Sequence, residues 1–354
     1  LAVLADGFDV SLAEAVAGDE SLPVARVPEL VWSLIDWSLI AREVAAGTSR
    51  YTLPSTVRSH VLEGADEHEL TAARIRLADA LVERLGPART LSRRWVTELG
   101  VDLENVRAVV AHPGIPDPIA RSLAWSIGQY HDVTASYRSG ITEIARCVEQ
   151  RPGPGPDLVA LLTLQADLHL RLGELADAQR IVDRAAALAD QVGVPDFDDM
   201  GVVRTMGELA LRSDDPETAV RLAETALSAG QATPRGEARL WNLAAIAHNA
   251  MGDPRAASVA LDHCLRAEEA AGLETFLAAT HGNYAEVLLA LDDPVGAAVH
   301  QLAALERARS MGDSTLIAYS QMIACLLYTS PSPRDSYADL VCRLLLENRG
   351  GGGG

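Results

Sequence analysis

Three short stretches, SDDPETA (213–219), GDPRAA (252–257) and DDPVGA (292–297), are one turn written three times. LGELADA (172–178) is a fourth copy without the proline. In three of them an aspartate (Asp215, Asp253, Asp293) stands directly before a proline. An aspartate side chain caps a helix, and proline suits the first helical position, where no N–H is needed. The closing alanines Ala178, Ala219, Ala257 and Ala297 follow one another at 41, 38 and 40 residues. About 15 residues of helical pattern flank each turn on either side. A helix–turn–helix unit repeated at a period near 40 predicts an α-solenoid over 157–324.

Outward from the repeats, RPGPGP (151–156) reads as a linker. Upstream of it, 119–156 reads as a helical pair with a turn near Gly128, closed by that linker, and 67–118 as a helical connector. The connector holds amphipathic helices over Glu67–Leu85 and Arg94–Val110. Residues 1–66 read as a winged-helix-like unit. Leu1–Ala5 is expected to end a helix, and Ser11 with Glu14 to form a capping box. A helix over Val27–Trp37, strands over Ser38–Val44 and Arg50–Leu53, and a last helix from Pro54 to Glu63 complete it. Downstream, a helix starts near Ser314 and gives way to a polar, proline-containing stretch. The segment CLLYTSPSPRDS from Cys325 resembles translated adapter sequence, so 325–354 is expected to be non-native or disordered. The chain opens on Leu1, and the expectation is that the native start lies upstream.

Alanine and leucine dominate and aromatics make up 4%, which favours helices in close contact through small side chains. The formal net charge of -19 repels phosphate backbones and anionic lipid heads. All 30 basic residues are arginines. A Walker A loop needs a lysine on the phosphates and a PLP enzyme a Schiff-base lysine, so neither fits this segment. Cys147, Cys264, Cys325 and Cys342 form no CxxC pair, which argues against a disulfide scaffold or zinc ribbon and suits a cytoplasmic protein. No apolar run is long enough to cross a membrane. The nine histidines form no HExxH motif and no i, i+4 pair, so no metal site is expected. Asp214-Asp215, Asp292-Asp293 and Glu268-Glu269 read as caps or solvated faces, and no catalytic residue is assigned.

Four segments carry a family resemblance: LAVLADGFDVSLAEAVAG (1–18), VPELVWSLIDWSLIARE (27–43), SRYTLPSTVRSHVLE (49–63) and ELGVDLENVRAVV (98–110). In this order, and followed by repeats of the tetratricopeptide (TPR) kind, they resemble the regulatory half of bacterial STAND ATPases of the AfsR and LuxR-type regulator group. Ser55 and Ser59 depart from that pattern, which tends to acidic or bulkier residues there. The resemblance implies an all-α fold: a winged-helix-like unit followed by a TPR-like α-solenoid. It also implies a parent protein that binds ATP or ADP in a separate nucleotide-binding domain and regulates transcription. This segment would then need no cofactor of its own and would pack against that domain.

The first helix of each TPR-like repeat lines the concave face, so its polar residues are candidates for holding a protein, a peptide or a small effector. They are Arg204, Glu208, Asn242, Asn249, Asn283 and Glu286. Asn242 and Asn283 lie 41 residues apart, nearly one repeat, and could clamp an extended peptide. The plainer alternative is that all six are only exposed helix residues. Direct DNA reading through 27–37 is a second functional class. That helix carries Glu29 and Asp36 and no basic residue, while 1–66 holds four arginines against ten acids. Its Leu30, Trp32, Leu34 and Trp37 suit packing within the protein instead. A free-standing TPR scaffold is the third class.

Overall fold

The computed structural model describes residues 1–45, 48–85, 93–193, 201–230 and 232–311, with the single positions 317 and 321. The helix expected from Ser314, the thiols of Cys325 and Cys342, and the 325–354 tail lie outside the described residues. The described residues form an all-α fold with fifteen α-helices and one two-stranded antiparallel sheet. The chain divides into two compact units, Leu1–Gly173 and Glu174–Gly354.

The first unit begins with α1 (Val10–Ala17), α2 (Val27–Asp36), the hairpin β1 (Ala41–Ala45) and β2 (Thr48–Thr52), and α3 (Ser55–Gly64). Ala41 stands opposite Thr52 and Ala45 opposite Thr48. Leu1–Ala5 forms turns, not the end of a helix. Asp9, not Ser11, caps α1, its carboxylate accepting from the Leu12 N–H at 2.8 Å. The shorter-reaching Ser11 falls one position inside the helix and faces solvent. Exposure along and just after α2 also differs from expectation. Leu30, Trp32 and Trp37 are 38%, 49% and 71% exposed.

Two long helices, α4 (Glu67–Leu85) and α5 (Arg93–Ala111), receive this N-terminal part. The contact is polar and specific. Asn105, fully buried, donates to the Gly7 carbonyl at 3.0 Å and accepts from the Asp6 N–H at 3.0 Å. Asp102, 1% exposed, takes Arg50 at 3.0 Å on one oxygen and Arg84 at 2.9 Å on the other. Arg84 also reaches Asp9 at 2.8 Å, so one chain of charges joins α1, β2, α4 and α5.

Three helices follow: α6 (Asp117–Val133), α7 (Tyr137–Gln150) and α8 (Pro156–Leu172). The turn expected near Gly128 falls instead at Thr134–Ser136, and Gly128 is buried within α6. A Cβ at Gly128 would stand 2.6 Å from Leu164 and 2.7 Å from Ile144. The glycine therefore marks a close helix approach, not a chain reversal. The RPGPGP segment is likewise tied down. The 5%-exposed Arg151 donates to the carbonyls of Ile115 at 2.8 Å and His112 at 2.7 Å. Arg121 in turn donates to the carbonyls of Arg151 and Gly153, each at 2.6 Å.

The second unit runs through α9 (Leu175–Val192), α10 (Gly201–Arg212), α11 (Pro216–Ser228), α12 (Pro234–Ala250), α13 (Pro254–Ala270), α14 (Glu274–Ala290) and α15 (Pro294–Met311). Each turn is built as its sequence demands. Asp215, Asp253 and Asp293 accept from the N–H three residues on, at 3.1, 3.0 and 2.9 Å. The preceding residue takes the left-handed conformation in each: Asp214 at φ 61°, Gly252 at 77° and Asp292 at 59°. That twist lets the cap N–H reach back to Ala210, His248 and Leu288 carbonyls, each at 2.9 Å, and closes the end of the earlier helix. The fourth residue of each second helix (Ala178, Ala219, Ala257, Ala297) is fully buried. With only a methyl group there, the two helices of a hairpin can lie close together.

Candidate functional site

The first helices of the repeats, α10, α12 and α14, contact one another in order, α10 with α12 and α12 with α14. Five residues share one face of α12: Arg235, Arg239, Asn242, Ile246 and Asn249, at successive offsets of four, three, four and three. Of the six sequence candidates, Asn242 and Asn283 are brought together. The Asn283 Nδ2 donates to the Asn242 Oδ1 at 3.0 Å across α12 and α14. One donor and one acceptor are spent on this bond. The Asn242 amide N–H groups and the Asn283 carbonyl oxygen remain to face a third group, and exchanging the two roles leaves the same set. A peptide unit, with one N–H and one C=O, matches that pair.

Arg204 and Glu208 pair with each other at 3.2 Å on α10, and Arg212 holds the other Glu208 oxygen at 3.0 Å. Glu208 is thus set between two arginines a turn away on either side. Asn249 is half-buried, seven residues beyond Asn242, and Glu286 is half-buried one turn beyond Asn283. Asn249 makes no hydrogen bond to the Asn242–Asn283 pair among the described residues.

Sequence reading passed over three neighbours. Ile246, 41% exposed, lies between Asn242 and Asn249 on the shared face. The guanidinium groups of Arg235 and Arg239 stand 5.2 and 5.1 Å from the centre of the Phe276 ring on α14. The i, i+4, i+7 spacing of Arg235, Arg239 and Asn242 was a signal that could have found them.

The interior behind this face holds a second polar group. Glu268, expected on a solvated face with Glu269, is 3% exposed, while Glu269 is exposed. Thr280 donates to one Glu268 oxygen at 2.8 Å, and the other is buried without a hydrogen bond. Burial pushes the Glu268 carboxyl up to about 7, against the smaller opposing pull of the Thr280 hydroxyl. Cys264 beside it donates to the Ala238 carbonyl at 3.2 Å, and burial pushes its thiol up as well. A thiol held protonated and enclosed is a poor nucleophile. Its sequence neighbour His263 turns away and stacks on Trp241, ring centres 4.4 Å apart.

In the first unit, Glu143 accepts from Arg107 through both oxygens, at 2.6 and 3.0 Å, and contacts His131 at 3.0 Å. Burial opposes its charge, but these partners together bring its carboxyl down to about 2. The site is an ion-paired joint between helices.

No protein-family model matches the sequence, and no characterised protein matches it in sequence. Solved structures match in fold. A STAND protein with a tetratricopeptide repeat sensor from Pyrococcus horikoshii aligns over 99% of this chain, with 13% identity and a TM-score of 0.52. This chain has the fold of a TPR-like α-solenoid. It spans 56% of the length of that Pyrococcus protein. A thermophilic TPR protein from Thermus thermophilus aligns over 58% of this chain and 100% of its own, at 18% identity and a TM-score of 0.47. No described helix is long and apolar enough to cross a membrane.

Proposed function

We propose that this chain is the interaction and effector-sensing arm of a larger STAND-type ATPase that regulates transcription, and that it acts by binding and conformational change, not by catalysis. The observation that carries this reading is the Asn242–Asn283 bond, which sets two amides one repeat apart with a donor and an acceptor to spare. An extended peptide fits such a pair, because its backbone offers the complementary groups at every residue. ATP or ADP belongs to the separate nucleotide-binding domain of the parent. The exposed apolar side chains of Leu30 and Trp32 on α2, and of Trp37 just after it, are candidates for what this arm offers that domain. An effector that prefers the released arm shifts the population toward it. Glu29 and Asp36 on the same helix disfavour DNA as the partner.

The test is a displayed peptide library panned on the full chain. Enriched peptides are expected to lose about tenfold affinity or more with Asn242→Ala or Asn283→Ala, the loss of roughly one desolvated hydrogen bond or more. Peptides that bind both variants as well as the original chain would sink this reading. A mobility shift on DNA at low salt is expected to be absent.

A further inference from the structure

The pairing of α14 with α15 brings together two imidazoles that the sequence holds 19 residues apart. The Nδ1 atoms of His281 and His300 face each other at 2.9 Å. Both rings are half-buried, so water reaches them. One Nδ1 donates and the other accepts, so a single proton lies between two lone-pair positions.

The His300 ring is held in place. Tyr284 lies against it with ring centres 4.3 Å apart. The Tyr284 hydroxyl is itself anchored on α13, donating to Asp262 at 2.7 Å with the Ser258 hydroxyl at 3.2 Å. One ring held in place, with a second ring nitrogen 2.9 Å from its own, offers a metal ion two ligands at once, and neighbouring groups set the orientation of the first.

We propose that His281 and His300 form a two-imidazole chelate for a late divalent transition metal, Cu2+ or Ni2+, between α14 and α15. The ligand type selects the class of ion, because imidazole nitrogen suits late divalent metals and Cu2+ and Ni2+ stand high among them in affinity. With metal–nitrogen bonds of about 2.0–2.1 Å, a nitrogen separation of 2.9 Å subtends about 90° at the metal. That is the cis angle of a square-planar or tetragonal ion, which Cu2+ and Ni2+ favour. Binding releases no proton. The imidazole that donated through Nδ1 moves its proton to Nε2 by tautomerisation, and both Nδ1 lone pairs then go to the metal. Water completes the coordination.

The test uses the full chain titrated with Cu2+ and, separately, Ni2+ by calorimetry, with electron paramagnetic resonance of the Cu2+ form. One ion per chain is expected, with the signature of two imidazole nitrogens. His281→Gln and His300→Gln are each expected to lower affinity about tenfold or more, as losing a direct ligand costs at least what a supporting contact does. His60→Gln, exposed on α3, is expected to leave binding unchanged. Unchanged binding in both ligand variants overturns the proposal. If those variants fail to fold, the original chain decides: a spectrum with one nitrogen, or with no imidazole, overturns it as well.

Discussion

Between Leu1 and Gly173 the interior contains Asp102, Asn105, Arg121 and Arg151, none more than 5% exposed, each bonded to residues far away in sequence. Between Glu174 and Met311 the matching role falls to alanines at a fixed place in each hairpin and to aspartate caps that bond three residues away. The first region is specified by charges that must find their partners. The second is specified by size and by local hydrogen bonds, repeated. A buried charge network defines one arrangement and penalises any loss within it. A repeated seam spreads its stability over equivalent contacts between neighbours. Glu268 is an exception in the second region, a buried carboxyl with an oxygen left unbonded.

The sharpest way to break this contrast is Asp102→Ala. It leaves Arg50 and Arg84 without their shared carboxylate, and a loss of about 3–5 kcal/mol is expected in urea denaturation. A loss below about 1 kcal/mol would mean that the network does not specify the first unit. Next comes the exception. Burial raises the folded Glu268 to about 7 from 4.5, so ionisation opposes folding. Its stability contribution is complete below pH 4.5, is lost as pH rises toward 7, and is flat above, for a total of about 3 kcal/mol. The difference between the original chain and Glu268→Gln, followed from about pH 4 to 8, isolates this slope. A difference that does not change with pH would contradict the assignment.

Smaller effects separate size from capping in the repeats. Ala257→Leu forces three more carbons into a fully buried position and is expected to cost about 1–3 kcal/mol or more. Asp253→Ala removes the bond to the Ala256 N–H and is expected to cost about 1 kcal/mol. Thermal melts of both variants check the order. If the cap proves costlier than the alanine, local hydrogen bonding and not close packing holds the hairpins.

Much of the second unit was legible because its determinants are local. Asp-Pro at a helix start and a small residue four positions on act within one turn, so the chain states them where they act. The same locality made the Glu67–Leu85 helix readable to the residue. It misled at Gly128, where a glycine read as a turn serves a contact with Leu164, 36 residues away. It misled also at Glu268, whose neighbour Glu269 is solvated: adjacent residues on a helix point in different directions, and only the docking of α14 on α13 decides which is covered. In the candidate groove, spacing named Asn242 and Asn283, while the stacking of α12 and α14 put their amides in contact.

Composition and period by themselves determined an all-α chain of stacked hairpins, because helix caps and small-residue seams are written within a few residues of where they operate. The tertiary structure alone decided that Asp102 and Asn105 hold the N-terminal segment, that Trp32 stays half-exposed on α2, and that His281 meets His300. Those facts depend on which helix faces meet across tens of residues of chain, and helical periodicity fixes a face without naming its partner.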